Sequence, residues 1–197
     1  KKMLDDLQKQ LKEEQEHLDN EAMKPLRRLE QVLPLIEAER EFEDLVKQQR
    51  DLADRLKALK GRDKQDDPAL KAQMRELEAE QRQLQEHLRN LLDRIEEKAQ
   101  ALPEGEEGLE GLRKSALDFV KAARGSGADE AMGEGAQGLS EFSGTRGHDG
   151  AQKAAESLEK LLGQGQQGMG MEGQGGQSLQ FRPGFGPSLG QTARQLM

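Results

Sequence analysis

The chain has 197 residues, of which 33% are hydrophobic, 35% charged and 3% aromatic, with five Phe and neither Trp nor Tyr. That is too little apolar volume for a broad core, and it predicts helices that each bury one narrow stripe. The net charge of −8 disfavours a duplex-binding or anionic-membrane-binding face, and the absence of Cys excludes disulfides, thiolate metal sites and cysteine nucleophiles.

No apolar run approaches the roughly 20 residues of a membrane span, and no signal peptide opens the chain. The sequence starts "KKMLDDL" and closes "SLGQTARQLM", each already inside a helical pattern. It therefore reads as a piece of a longer protein, with any targeting signal outside it. The lack of Cys leaves the compartment open.

In residues 1–34, Leu4, Leu7, Leu11 and Leu18 begin a helical stripe, and Leu26, Leu29, Leu33 and Ile36 continue it in a shifted phase. Pro25 and Pro34 lie within this stretch. Each removes a backbone donor, so we expect a kinked helical lead-in that bends or breaks at least once.

Residues 35–102 are more regular. Leu35, Ala38, Phe42, Leu45, Gln49, Leu52, Leu56 and Leu59 alternate steps of three and four, and Leu70, Met74, Leu77, Gln81, Leu84, Leu88, Leu91 and Ile95 do the same. Between them lies a polar turn, 61–67. Gly61 can end the first helix, Asp66 or Asp67 can cap the second, and Pro68 suits a first turn. This predicts an antiparallel hairpin. Folding about residue 64 or 65 pairs Leu45 with Leu84, Leu52 with Leu77 and Leu59 with Leu70. It also brings Gln49 level with Gln81, two polar core positions of the kind that fix register. A parallel homodimer through the 70–95 zipper is the competing reading.

Residues 106–162 predict a small bundle of three helices. The first carries Leu109 to Ala123, and the second runs from Ala128 to Phe142. The third carries Ala151 to Leu162, after Asp149. Gly133, Gly135 and Gly138 cost about 1 kcal/mol each inside a helix. They mark either a close helix contact or a frayed helix. Residues 163–197 form a Gly/Gln-rich linker, in which Phe181 and Phe185 suggest a short docking segment.

The segment "FSGTRGHDG", 142–150, is the most distinctive. "GTRG" at Gly144–Gly147 has the GXXG pattern of a nucleic-acid clamp with Arg146 as its cation, but no strand-forming run accompanies it. It lacks the Lys-Ser/Thr of a phosphate loop. Its expected role is a turn, with Gly144 and Gly147 ending one helix and His148 or Asp149 capping the next. His17, His87 and His148 are scattered without metal-ligand spacing. The carboxylates lie beside Lys and Arg on helix faces, without the pocket that catalysis needs.

The stretch "LSEFSGTRGHDGAQKAAESLEKLL" (139–162), followed by a Gly-rich tract and "RPGFGPSLGQTARQL" (182–196), resembles long bacterial cell-envelope proteins of unknown function. These have N-terminal membrane helices and extended Gln/Glu/Arg-rich coiled coils. The resemblance implies an extracytoplasmic structural or scaffolding role and carries no catalytic residues.

The combined expectation is an all-α protein: an elongated antiparallel hairpin or coiled coil, then a small helical bundle, then a Gly-rich irregular tail. It is expected to be non-enzymatic, with no cofactor, metal site or small-molecule substrate, and to act through protein contact with itself or another helical partner. The interaction or core residues are Leu45, Leu52, Leu56, Leu59, Leu70, Leu77, Leu84, Leu88, Leu91 and Ile95, with Gln49 and Gln81 setting register. The alternative is a helical adaptor or chaperone-like module holding a client in an apolar groove on the 106–162 bundle.

Overall fold

In a computed structural model of the chain, residues 12, 23–106 and 109–167 are described, with side chains as far as 163. The fold is all-α: α1 (Lys24–Leu56), a 3-10 turn (Lys57–Leu59), α2 (Pro68–Gln100), α3 (Leu109–Gly125), α4 (Ala128–Ser140) and α5 (Gly144–Gln167). The chain divides into two units, Lys1–Pro34 and Leu35–Met197.

In the first unit, Pro25 follows Lys24, the first residue of α1. Pro34 lies inside the same helix, which runs on to Leu56, so the chain is not broken there. One proline removes one i→i−4 bond, at about 3 kcal/mol. The amphipathic run that follows buries enough side chain to offset that cost. Phe42, Leu45, Leu52 and Leu56 are each 2% exposed or less.

In the second unit, the polar turn reverses the chain. Gly61 has φ +82°, a left-handed conformation that a Cβ would strain. Of the two candidate caps, Asp67 acts: its carboxylate accepts from the backbone N–H groups of Ala69 (2.9 Å) and Leu70 (3.4 Å), with Pro68 opening α2. The antiparallel register of α1 and α2 is visible in cross-helix pairs. Arg55 meets Glu80 at 2.7 Å near the turn, Gln49 meets Gln81 at mid-height, and Glu41 meets His87 (2.6 Å) and Arg94 (2.5 Å) towards the far end.

The remaining helices dress this hairpin rather than forming a module of their own. α3 packs along α2 and makes few contacts with α4 or α5. Its Phe119 ring meets Phe42 of α1 edge-on at 4.9 Å, and Arg124 pairs with Asp93 and Glu96. α4 lies on α2, where Gln85 donates to the Asp129 carbonyl (2.8 Å) and Arg89 forks onto the Asp129 carboxylate (2.6 and 2.8 Å). α5 packs mainly on α4 and reaches α1 through Arg50–Glu159. Residues 35–102 and 106–162, separate segments by sequence, therefore share one compact unit.

Candidate functional site

All ten apolar positions expected in the hairpin core are buried. Leu45, Leu52, Leu56 and Leu91 are fully enclosed, and Leu84 has the most exposure of the ten at 6%. Gln49 and Gln81 are each 0% exposed and bond reciprocally: Gln49 Nε2 donates to Gln81 Oε1 at 3.1 Å, and Gln81 Nε2 donates to Gln49 Oε1 at 2.8 Å. The second N–H of Gln49 donates to the Ala151 carbonyl of α5 at 3.1 Å. The polar layer thus fixes three helices in height. The third partner was not legible in the sequence, because a backbone acceptor has no residue signature.

Where a turn was expected at 144–150, the structure has helix. The turn is Glu141–Ser143, and α5 begins at Gly144. Phe142 takes φ +56°, a strained conformation for a bulky residue. Its ring lies beneath Lys71 (5.6 Å) and Arg75 (5.5 Å) of α2, and its carbonyl accepts from the Lys64 N–H at 2.9 Å. Neither His148 nor Asp149 caps the helix. Ser143 accepts from the Arg146 and Gly147 N–H groups, and Asp63 of the hairpin turn caps from a distance. The Asp63 carboxylate accepts from Ser143 Oγ (2.7 Å), Thr145 Oγ1 (2.7 Å) and Thr145 N (3.1 Å). These bonds, those of Thr145 first, hold its pKa below the usual carboxylate range. Gly61 N donates to Thr145 Oγ1 at 3.0 Å, and Lys60 pairs with Asp149 at 3.1 Å.

The glycines of this segment make room for neighbouring chain. A Cβ on Gly144 would lie 2.0 Å from the Leu59 carbonyl oxygen, and one on Gly150 would lie 2.4 Å from the Gly135 backbone N. One on Gly138 would lie 2.6 Å from Arg146 Cβ. Gly144 lies against Leu59 of the 3-10 turn, Gly147 against the Leu139 side chain and Gly138 of α4, and Gly150 against Gly135 of α4. The "GTRG" backbone is therefore enclosed, and Arg146 pairs outward with Glu141. A loop clamping a nucleic-acid backbone is not formed.

Of the histidines, His148 is buried beside Asp149 (3.0 Å), and His87 binds Glu41. The hydrogen bond from His87, followed by Arg94, lowers the Glu41 pKa. His17 lies outside the described residues, as do Phe181 and Phe185. An open groove between α1 and α2 is lined by Asp51, Asp54, Arg55, Glu80, Leu84 and His87, and the Arg55–Glu80 pair spans it. Among the described residues, no cluster of His, Asp and Glu could hold a metal, and no buried side-chain N or O lacks a hydrogen bond.

Large exposed apolar side chains are concentrated elsewhere. Met23 (45%), Leu26 (56%), Leu29 (45%) and Leu33 (46%) stand open, while Val32 beside them is buried. None falls in the described part of 106–162, where the adaptor reading requires an apolar groove. No helix among the described residues is long and apolar enough to cross a membrane.

These contacts define a helix-packing protein, with a hairpin core and helices docked along it. No protein-family model, curated protein or solved structure matches the chain.

Proposed function

We propose that this chain is a non-enzymatic scaffolding or interaction segment that works through helix–helix contact. The observation that carries the reading is the contrast in how apolar surface is used. The second unit encloses its own stripes and satisfies its own buried polar groups. Met23, Leu26, Leu29 and Leu33 are left to meet something else.

The polar chemistry supports the same reading. Glu41 and Asp63 have lowered pKa values through hydrogen bonds that tie one helix or turn to another, and Asp149 through its neighbour His148 and then Lys60 before the hairpin turn. A general acid would need the opposite shift, from burial away from such partners. By its resemblance to long envelope proteins, we further propose an extracytoplasmic location.

Proximity labelling from the chain in its own cells, wild type against Leu26→Lys/Leu29→Lys, tests the reading. The expected result is a set of neighbours that the double variant loses while keeping its helical circular dichroism. An identical set for both chains overturns it.

A further inference from the structure

We infer that the tip of the hairpin, residues 57–64, docks end-on against an anionic phospholipid surface. The inference uses none of the exposed apolar face of α1, so it stands apart from the helix-contact reading. The whole-chain charge of −8 conceals a basic end. Residues 55–64, RLKALKGRDK, carry five cations against Asp63 alone, the largest positive excess of any ten-residue stretch in the chain.

The way the tip uses its charges gives this surface its sign. The turn holds three carboxylates, and each is engaged inside the fold. Asp63 caps α5, Asp67 caps α2, and Asp66 pairs with Lys71 at 2.7 Å. Of the cations, Arg55 pairs with Glu80 and Lys60 with Asp149. Lys57, Arg62 and Lys64 are exposed, and among the described residues their side chains make no hydrogen bond or ion pair. Three positive charges are therefore left facing water within eight residues. Each such cation near a layer of phosphate headgroups contributes about fivefold in partition.

The surroundings of the tip choose between anionic partners. Behind it the sign reverses: Asp51 and Asp54 of α1 and Glu80 of α2 line the groove between the arms, and Glu76 is exposed beside them. Asp51 stands about 12 Å behind Leu59, and Glu76 about 12 Å behind Pro68. Both lie beyond the roughly 10 Å screening length of 0.1 M salt. A duplex or other long polyanion laid along the hairpin would run onto those carboxylates. A flat surface met end-on feels the cations and is screened from most of the acids.

Co-sedimentation of the full chain with vesicles tests the inference. Binding is expected to vesicles of equal parts phosphatidylcholine and phosphatidylglycerol, not to phosphatidylcholine alone, and should weaken as salt rises. Lys57→Gln/Arg62→Gln/Lys64→Gln should lower partition about 100-fold, and each single change about fivefold, with unchanged helical circular dichroism. Lys114→Gln/Lys121→Gln/Lys160→Gln removes the same charge from exposed positions elsewhere and should bind as the wild type does. The chain contains no Cys, so a dye on Gln65→Cys reports the tip and one on Asn90→Cys the shaft of α2. A headgroup-linked quencher should dim the first and leave the second. No binding to either vesicle, or equal binding to both, overturns the inference. So does an equal loss in the two triple variants, or equal quenching of the two dyes. Retention on duplex DNA that the tip variant loses, without vesicle binding, assigns the tip to nucleic acid and overturns the lipid contact.

Discussion

The hairpin seam and the α4–α5 seam both bury helix against helix, with opposite chemistries. Between α1 and α2, leucines hold the helices apart, and each contributes roughly 1.5–3 kcal/mol by leaving water. Between α4 and α5 the side chain is missing where the helices cross, so that Gly150 meets the Gly135 backbone directly. That seam gains from contact at close range. It also gives up about 1 kcal/mol of helix propensity for each interior glycine. A glycine in a helix is therefore ambiguous by composition, and its value depends on what lies opposite.

Substitutions can break this comparison in order of expected size. Leu52→Ala removes a fully enclosed side chain and should cost about 2–5 kcal/mol in denaturant unfolding. Gly150→Ala forces a Cβ onto the Gly135 backbone and should cost about 1–3 kcal/mol, although alanine favours helix. Gln49→Ala leaves Gln81 and the Ala151 carbonyl without their bonds, at about 1–3 kcal/mol. Replacing both glutamines by leucine should recover most of that loss. Gly111→Ala and Gly163→Ala meet nothing within 4 Å, so each should stabilise by up to about 1 kcal/mol. If Gly150→Ala also stabilises, the close seam is not formed.

Acid sharpens the comparison further. Asp63 has a lowered pKa because it accepts the capping bonds of α5. Its contribution is complete above its unfolded pKa and is lost as pH falls through the lower folded value. The protection of the Thr145 amide, its exchange rate taken relative to the unfolded chain at the same pH, should fall over that window in the wild type. In Asp63→Ala that protection should already be low at neutral pH.

The hairpin was legible because leucine at steps of three and four encodes both a helix and its buried face. The level glutamines gave the register as well. The start of α5 was not legible, because the cap that permits a helix at Gly144 comes from Asp63, some 80 residues earlier in the chain. Local rules read those glycines as a turn. The available signal was the recurrence of small residues at helical spacing, Gly135 and Gly138 against Gly147 and Gly150. Pro34, where a kink or a break was expected, lies inside α1 without ending it, for a related reason: the packing that offsets one lost bond is not local.

The grip of Asp63 on Thr145 also sets a ruler. An ordinary antiparallel hairpin can gain or lose matched heptads in its two arms, since the turn at its tip is free. Here the tip is held at the height where α5 begins, while the Gln49–Ala151 bond fixes α5 lower down. Seven residues added to each arm between those two points would lift the turn by about 10 Å and part it from α5. Arm length in this protein is therefore closed to the stepwise growth by which coiled coils commonly diversify.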